Sequence, residues 1–193
     1  MGTGIVLAVL LIGTVVLFVL ISYVIGIYNE LIVVKVNVDK SWSNIEVLEK
    51  QRYDEIPKLV KVCEGYMQYE RETLEKIISA RTRFLESRTP GQMANANADM
   101  TSALKTLFAV AENYPQLKAN ENFMQLQNRV SQLENQIADR REFYNDSVTI
   151  FNTRIQQVPY MFLAGPMNLQ QREMYKVVEA EKKLPEINFN IPK

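Results

Sequence analysis

The chain has 193 residues, in which 22 Lys and Arg side chains balance 22 Asp and Glu side chains, with a single cysteine and no histidine. A neutral chain offers little to a phosphate backbone, whose neutralisation supplies most nucleic-acid affinity, so we expect no nucleic-acid partner. Without imidazole, the Ser-His-Asp and Cys-His catalytic schemes, the Glu-x-x-His di-metal sites of helical bundles and the usual zinc sites are excluded. We expect no cofactor and no bound metal, and no small-molecule substrate is indicated.

The N-terminal segment, residues 1–28, is predicted to anchor the chain in a membrane. None of the first 29 residues is charged, and the run from Ile5 to Ile27 is almost wholly apolar. About 20 such residues in a helix span the ~30 Å hydrocarbon core of a bilayer. A secretory signal peptide is the alternative, but it would need a basic residue before a shorter apolar run and a small-residue cleavage site. We therefore expect an uncleaved, single-pass anchor.

The rest of the chain is predicted to be all-α, because its apolar residues recur at steps of three and four. We expect the single transmembrane helix to be followed by an elongated antiparallel bundle of three to four long helices over 29–159, and then by a C-terminal segment over 160–193. The first apolar stripe continues from the anchor without a helix breaker. It comprises Leu31, Val34, Val38, Trp42, Ile45 and Leu48.

Prolines mark the expected helix boundaries. At Pro57 two alternatives stay open: Asp54 caps a new helix whose first turn contains the proline, or one kinked helix passes through it. Thr89 before Pro90 is typical of a helix start. A further helix is expected to begin near Asn120.

One segment carries the strongest periodicity in the chain, a seam of about five heptads. Its apolar positions are Phe123, Leu126, Val130, Leu133, Ile137, Tyr144, Val148, Phe151, Ile155 and Val158. The step from Ile137 to Tyr144 skips one position, which we assign to Arg140. A charge there needs a carboxylate partner, because an unpaired buried charge costs several kcal/mol, and Asp54 and Glu46 are the candidates. The pair either sets the helix register or belongs to a partner-binding site.

The residues directly after Pro159 are apolar but lack the heptad periodicity of the seam. Tyr160, Met161, Phe162 and Leu163 form an apolar cluster that either closes the end of the bundle or contacts a partner or the bilayer surface. A short helix is expected over about 169–183. The tail over 184–189 is expected to be extended, because prolines frame it.

The remaining reactive groups are expected to be structural. Cys63 has apolar neighbours and is expected to be a small buried hydrophobe. Glu70, Glu72 and Glu75 alternate with basic residues, as they do on a solvated helix face.

Five stretches of the sequence resemble the signature of the LemA family. They are 28–31, 41–47, 52–60, 114–123 and 140–148, with the sequences YNEL, SWSNIEV, RYDEIPKLV, YPQLKANENF and RREFYNDSV. The resemblance implies a bacterial-type membrane protein whose soluble part is an elongated bundle of long helices, with no enzymatic activity to be assumed. The chain also differs from the family pattern. Family members usually have His-Glu where this chain has Tyr69-Glu70, and some members look like lipoproteins.

Two functions from different classes are considered. The leading interpretation is a non-enzymatic, membrane-anchored interaction or scaffold module that binds a protein partner or itself. The alternative is a cell-envelope hydrolase that uses two carboxylates with different pKa values in a pocket. Lys35 and Lys40 follow the span and no basic residue precedes it, so the positive-inside rule slightly favours a cytoplasmic bundle. The lipoprotein-like members of the family favour the outer side instead.

Overall fold

The computed structural model describes residues 2–87 and 89–175, and every regular element among them is a helix. Six helices follow one another: α1 (Gly2–Glu64), α2 (Arg71–Glu86), α3 (Pro90–Ala111), α4 (Pro115–Lys118), α5 (Glu121–Arg154) and α6 (Met161–Ala164). The predicted all-α fold, with one long apolar helix at the N-terminus, is confirmed. The tail over 184–189 lies outside the described residues.

Helix α1 is 63 residues long and starts in the apolar segment. The side chains from 2 to 26 are exposed although nearly all are apolar, and burial starts at Ile27. Among the described residues, α1 is the one helix long and apolar enough to cross a membrane. Exposed apolar side chains over such a length require apolar surroundings, which the hydrocarbon core of a bilayer supplies. The protein is therefore membrane-anchored.

Helix α1 also continues through Pro57 and ends only at Glu64, so the continuous helix is the correct one of the two alternatives. Asp54 is not a helix cap, and it lies exposed within the helix. Because proline has no N–H, the carbonyl oxygen of Tyr53, one turn earlier, has no helical donor. Tyr53 is a core residue, where an unsatisfied carbonyl group is costly.

The chain packs into two compact units. Among the described residues, the anchor unit comprises residues 2–42 with Phe143–Met174, and the bundle unit comprises Ser43–Glu142 with Tyr175. Helices α1 and α5 each contribute residues to both. The predicted boundaries at residues 28 and 159 mark the end of the apolar run and the end of the heptad pattern, and they stay a prediction.

Four helical segments of the bundle unit alternate in direction: the C-terminal part of α1, then α2, α3 and the first part of α5. The rings of Tyr53 in α1 and Phe84 in α2 stack with centroids 3.9 Å apart, far along both helices from the turn that joins them. Phe108 near the end of α3 meets Phe123 near the start of α5, with ring centroids 6.4 Å apart. Fully buried residues of this core include Ile56, Leu59, Cys63, Ile77, Met100, Leu107, Leu117 and Val130.

The observed helix starts agree with the predicted positions better than the observed helix ends do. The Thr89 side chain accepts a hydrogen bond from a first-turn amide at 3.2 Å, as expected of a helix start. The side chain of Asn120, near which a helix was expected to begin, accepts a similar bond at 3.1 Å. Helix α5 ends at Arg154, and Val158 is 70% exposed, so the seam was predicted one step too far. The reason is Pro159, which disfavours the helical conformation of the residue before it.

In the anchor unit, the chain after α6 lies along α5 without forming a helix. The Tyr144 hydroxyl donates to the backbone carbonyl oxygen of Glu173 at 2.9 Å, and the backbone N–H of Arg172 donates to Asn152 Oδ1 at 2.8 Å. Trp42 is half-buried, with its ring centroid 5.2 Å from that of Tyr144. The helix expected over about 169–183 is wrong for 169–175, whose backbone groups bond to α5 side chains instead; residues 176–183 lie outside the described part.

Candidate functional site

Seven polar side chains meet inside the bundle unit, and we call them the buried polar cluster. They are Glu49, Arg52, Tyr53, Asn97, Glu134, Arg141 and Tyr175. The first three share one face of α1, because residues three and four apart in a helix are neighbours on its surface. One comes from α3, two come from α5, and the last belongs to the non-helical segment that follows α6 in the chain.

Asn97 is the centre of the cluster and is fully buried. Its Nδ2 donates to the Tyr175 hydroxyl at 2.7 Å and to the Glu49 carboxylate, while its Oδ1 accepts from the Tyr53 hydroxyl at 2.8 Å and from the Arg52 guanidinium. An amide has two N–H donors and one carbonyl oxygen with two lone pairs. Every hydrogen-bonding position of Asn97 is therefore used, which fixes α3 against α1.

Arg52 is a buried cation that is paired across the bundle unit. It forms an ion pair with the Glu134 carboxylate and donates to the Tyr53 hydroxyl at 3.2 Å. The other carboxylate oxygen of Glu134 accepts from the Thr101 hydroxyl at 3.0 Å. A buried charge is tolerated only when it has such a counter-charge and hydrogen bonds, so this pair ties α1 to α5.

Glu49 is a buried carboxylic acid of the cluster, and its side chain is 0% exposed. Burial raises the pKa of its carboxyl group from 4.5 to about 7, against the opposing effects of the Arg141 and Arg52 charges. Arg141 Nη2 lies 3.8 Å from Glu49 Oε1, and the Arg141 guanidinium lies 4.6 Å from the centroid of the Tyr175 ring. The bundle unit thus contains a buried acid that titrates near neutral pH.

The chemistry open to this cluster is limited by its burial. Among the described residues, Glu49 Oε2, Arg52 Nε and the Nε and Nη2 atoms of Arg141 have no hydrogen-bond partner. Within the described part of the chain, a carboxyl group of near-neutral pKa between two arginines is the arrangement that comes nearest to acid–base chemistry. Because the Glu49 side chain has no exposed surface, ionisation of its carboxyl group changes the charge of the core.

The predicted ion pair of Arg140 is not formed as expected. Arg140 lies on the exposed face of α5 and has no ion pair among the described residues, and Asp54 and Glu46 are exposed as well. The adjacent Arg141 is the arginine that points into the bundle unit, so the charged seam position belongs to it. Arg140 instead borders an open groove of about 400 Å³, and its role as a partner contact stays a prediction. The groove is lined by Asn44, Val47, Leu48, Gln136, Asp139 and Arg140.

The predicted apolar cluster, residues 160–163, lies in the anchor unit. Two of its side chains are partly buried and two are exposed. Tyr160 and Leu163 are half-buried, whereas Met161 is 47% and Phe162 is 68% exposed. Whether the cluster closes a packed end or contacts a partner or the bilayer stays a prediction.

The other reactive groups occupy the positions expected of structural residues. Cys63 is fully buried, and burial raises the pKa of its thiol to about 12. On the exposed face of α2, Arg71 pairs with Glu75 at 2.8 Å and Lys76 with Glu72 at 2.7 Å. Within the described ranges, no group of three or more His, Cys, Asp or Glu side chains is placed to hold a metal ion.

Sequence reasoning missed Glu49 and Asn97, although a signal for both is present. Buried positions of α1 follow one another at steps of four and three through Ile45, Glu49, Arg52, Ile56, Leu59 and Cys63. Buried positions of α3 do so through Asn97, Met100, Leu104 and Leu107. Polar residues at core positions of an otherwise apolar stripe are unusual enough to predict a buried network.

The sequence profile of the LemA family matches residues 41–189, which is most of the chain and all of the helices beyond the anchor. The chain belongs to the LemA family. Protein LemA of Metamycoplasma hominis is 27% identical over 162 residues, which cover 82% of this chain and 73% of that protein. Magnetosome protein MamQ 2 of Paramagnetospirillum magneticum is 22% identical over 202 residues, covering 91% of this chain and 74% of that protein. Magnetosome protein MamQ of Magnetospirillum gryphiswaldense is 22% identical over 190 residues, covering 85% and 70%.

Proposed function

We propose that this LemA-family protein is a membrane-anchored, non-enzymatic interaction module, in which a helical surface beyond the anchor binds a protein partner or a second copy of the chain. The anchor keeps that surface at the membrane. The buried polar cluster sets the register of the helices, and its inaccessible Glu49 gives no support to a carboxylate-dependent hydrolase.

The observation that carries this proposal is the pair Phe143 and Ile150 on α5. The two residues are seven apart, so they lie on one face of the helix, and they are 54% and 55% exposed. A different face of the same helix, about a third of a turn away, carries the buried Tyr144, Val148 and Phe151. Exposed apolar residues one heptad apart are typical of helices that pair with another helix.

Two further surfaces support a contact role. In the anchor unit, Val33 and Val36 of α1 are 55% and 53% exposed, on the side of the helix away from the buried Leu31. In the bundle unit, Val47 is 56% exposed beside Arg140 in the open groove described above. An apolar side chain next to an arginine is the usual composition of a contact site, so we assign Arg140 to a partner contact there.

Site-specific photo-crosslinking of the full-length protein in its native membrane tests this proposal. A photoreactive phenylalanine analogue would replace Phe143, Ile150 or Val47 in separate experiments, and Tyr69, which is 93% exposed, in the control. We expect one discrete adduct from the test positions, with twice the chain mass for a second copy and another defined mass for a partner. Adducts no more discrete than those of the control would refute the proposed contact surface.

We also propose that the bundle unit lies on the cytoplasmic side of the membrane. Lys35 and Lys40 follow the apolar segment. Positive charges near a span favour the cytoplasmic side, and these two lysines support that orientation.

A further inference from the structure

Two charge-free stretches of the chain come together at their ends in the anchor unit, through the charged residues that flank them. The first is the apolar segment 1–29, and the second is 155–171, the longest stretch without Asp, Glu, Lys or Arg in the rest of the sequence. The second stretch starts directly after α5 and contains α6. A turn of this length on a water-exposed surface normally carries charged residues, because loops face solvent.

The contact between the two stretches is made by Glu30, the first charged residue after the apolar segment. Arg154 forms an ion pair with the Glu30 carboxylate, and the Tyr160 hydroxyl donates to the same carboxylate. Arg154 Nη1 also donates to the Tyr160 hydroxyl at 2.8 Å, and its guanidinium lies 4.7 Å from the centroid of the tyrosine ring. The turn after α5 is therefore held at the level of Glu30.

That level corresponds to the edge of the membrane. Glu30 is three residues beyond Ile27, the end of the apolar run, which is about 5 Å along a helix. Tyr23 and Tyr28 are 58% and 47% exposed on the same part of α1, as in the aromatic belts at membrane–water interfaces. A turn fixed beside Glu30 therefore lies within reach of the lipid headgroups.

Between residues 158 and 162, the side chains that the turn exposes are apolar. Val158 is 70%, Phe162 is 68% and Met161 is 47% exposed, while Ala164 packs inward. The nearby charges of Glu30 and Arg154 neutralise each other, which lowers the cost of bringing them close to hydrocarbon. Exposed Phe, Met and Val beside a compensated ion pair are a chemical match for the boundary between headgroups and acyl chains.

We propose that residues 158–162, which we name the interfacial turn, insert into the headgroup–acyl boundary of the membrane that α1 spans. The occupant of this apolar surface is lipid, because the surface lies level with the end of the span and the stretch that contains it has no charged residue. The membrane then holds the anchor unit at two points, α1 and the interfacial turn, which restrains its tilt. The inference rests on the membrane anchor but not on the proposed partner surface.

Lipid quenching of a single tryptophan tests the insertion. In full-length protein with Trp42→Phe, the substitution Phe162→Trp places the only indole in the interfacial turn. The protein is reconstituted at low density in phosphatidylcholine–phosphatidylglycerol vesicles, with or without phosphatidylcholine brominated on its acyl chains. Tyr69→Trp in the same background is the control, since its side chain is 93% exposed and lies outside the proposed partner surface.

We expect blue-shifted emission, strong quenching by brominated lipid and weak quenching by aqueous iodide for Phe162→Trp, and the reverse for Tyr69→Trp. Equal quenching of the two variants by brominated lipid would overturn the proposal. Protection of Phe162→Trp from iodide without quenching by lipid would also overturn it, because a protein would then cover the turn. If Trp42→Phe impairs folding, a polarity-sensitive dye on Phe162→Cys or Tyr69→Cys, with Cys63→Ser, makes the same comparison.

Discussion

The Nε atom of Arg81 in α2 donates a hydrogen bond of 3.3 Å to the backbone carbonyl oxygen of Tyr53 in α1. This carbonyl group is the one that Pro57, four residues later, leaves without its helical donor. A charged side chain from the neighbouring helix thus replaces the missing amide. The interaction explains how α1 continues through a proline in the core of the bundle unit.

A double-mutant cycle tests this replacement. We expect Arg81→Ala to lower the free energy of unfolding by about 1–2 kcal/mol, because it leaves the carbonyl oxygen of Tyr53 unsatisfied. In a Pro57→Ala background the helix supplies its own N–H, so the same substitution should cost much less. Thermal and urea unfolding of the full-length protein in mild detergent, followed by circular dichroism, measures both effects.

The control for that cycle is Arg83→Ala on the same helix. Arg83 pairs with Asp99 at 2.6 Å, but both side chains are about half exposed, and exposed ion pairs contribute less than about 1 kcal/mol. Its effect should be small and independent of Pro57→Ala. An equal cost of Arg81→Ala in the two backgrounds would show that its bond to Tyr53 is unrelated to the proline.

The buried acid Glu49 predicts a specific pH dependence of stability. Its folded-state pKa of about 7 lies above the ordinary 4.5, so the folded state binds more protons than the unfolded state between these two values. This group therefore contributes most stability below pH 4.5, and the contribution is lost as pH rises through 7. The total loss is a few kcal/mol at most.

Glu49→Gln keeps a neutral side chain at every pH, so this decline between pH 4.5 and 7 should be absent from the variant. Glu75→Gln on the exposed face of α2 is the control and should retain the wild-type profile. Urea unfolding in detergent at a series of pH values measures the two profiles. An identical pH dependence in Glu49→Gln and wild type would contradict the assigned cause.

Two adjacent arginines of α5 are expected to differ sharply in their contribution to stability. Arg141 has a side chain only 16% exposed, near Glu49 and against the Tyr175 ring. We expect Arg141→Met to cost about 2 kcal/mol through the lost ion pair and cation–π contact. Arg140→Met should change stability by less than about 0.5 kcal/mol, as for most surface sites. Equal effects in unfolding experiments would contradict the placement of the two side chains.

The orientation of the bundle unit can be tested with one exposed cysteine. In a Cys63→Ser background, Tyr69→Cys places a thiol at a side chain that is 93% exposed. We expect a membrane-impermeant maleimide to label it only after cell lysis, which is the result for a cytoplasmic bundle unit. Labelling in intact cells would place the unit outside and reverse the proposal. The Cys63→Ser chain without the new cysteine controls for background labelling.

Much of the fold follows from local signals in the sequence. The charge-free segment, Thr89 before Pro90 and the steps of three and four were sufficient to predict the anchor, a helix start and the core faces. Each of these signals acts within a few residues of the chain. The continuation of α1 through Pro57 was not decidable in this way, because the group that bonds to the freed carbonyl oxygen, Arg81, is distant in sequence.

The candidate site was predicted less well, for a geometric reason. At 100° per residue, Arg140 and Arg141 each lie about 50° from the mean direction of Ile137 and Tyr144, on opposite sides. Periodicity therefore assigns the seam equally well to either one. Only the carboxylate of Glu49 on the facing helix distinguishes them, and that contact is long-range in sequence.

The size of the native complex tests the proposed interaction function most directly. Membranes that contain the wild-type chain or the double variant Phe143→Glu and Ile150→Glu are extracted into polymer-bounded lipid discs, and the particle mass and protein content are measured. We predict that the wild type occurs with a second copy or a defined partner, and that the variant occurs as a single chain with unchanged helix content. A wild-type chain that is already alone in its disc would contradict the account.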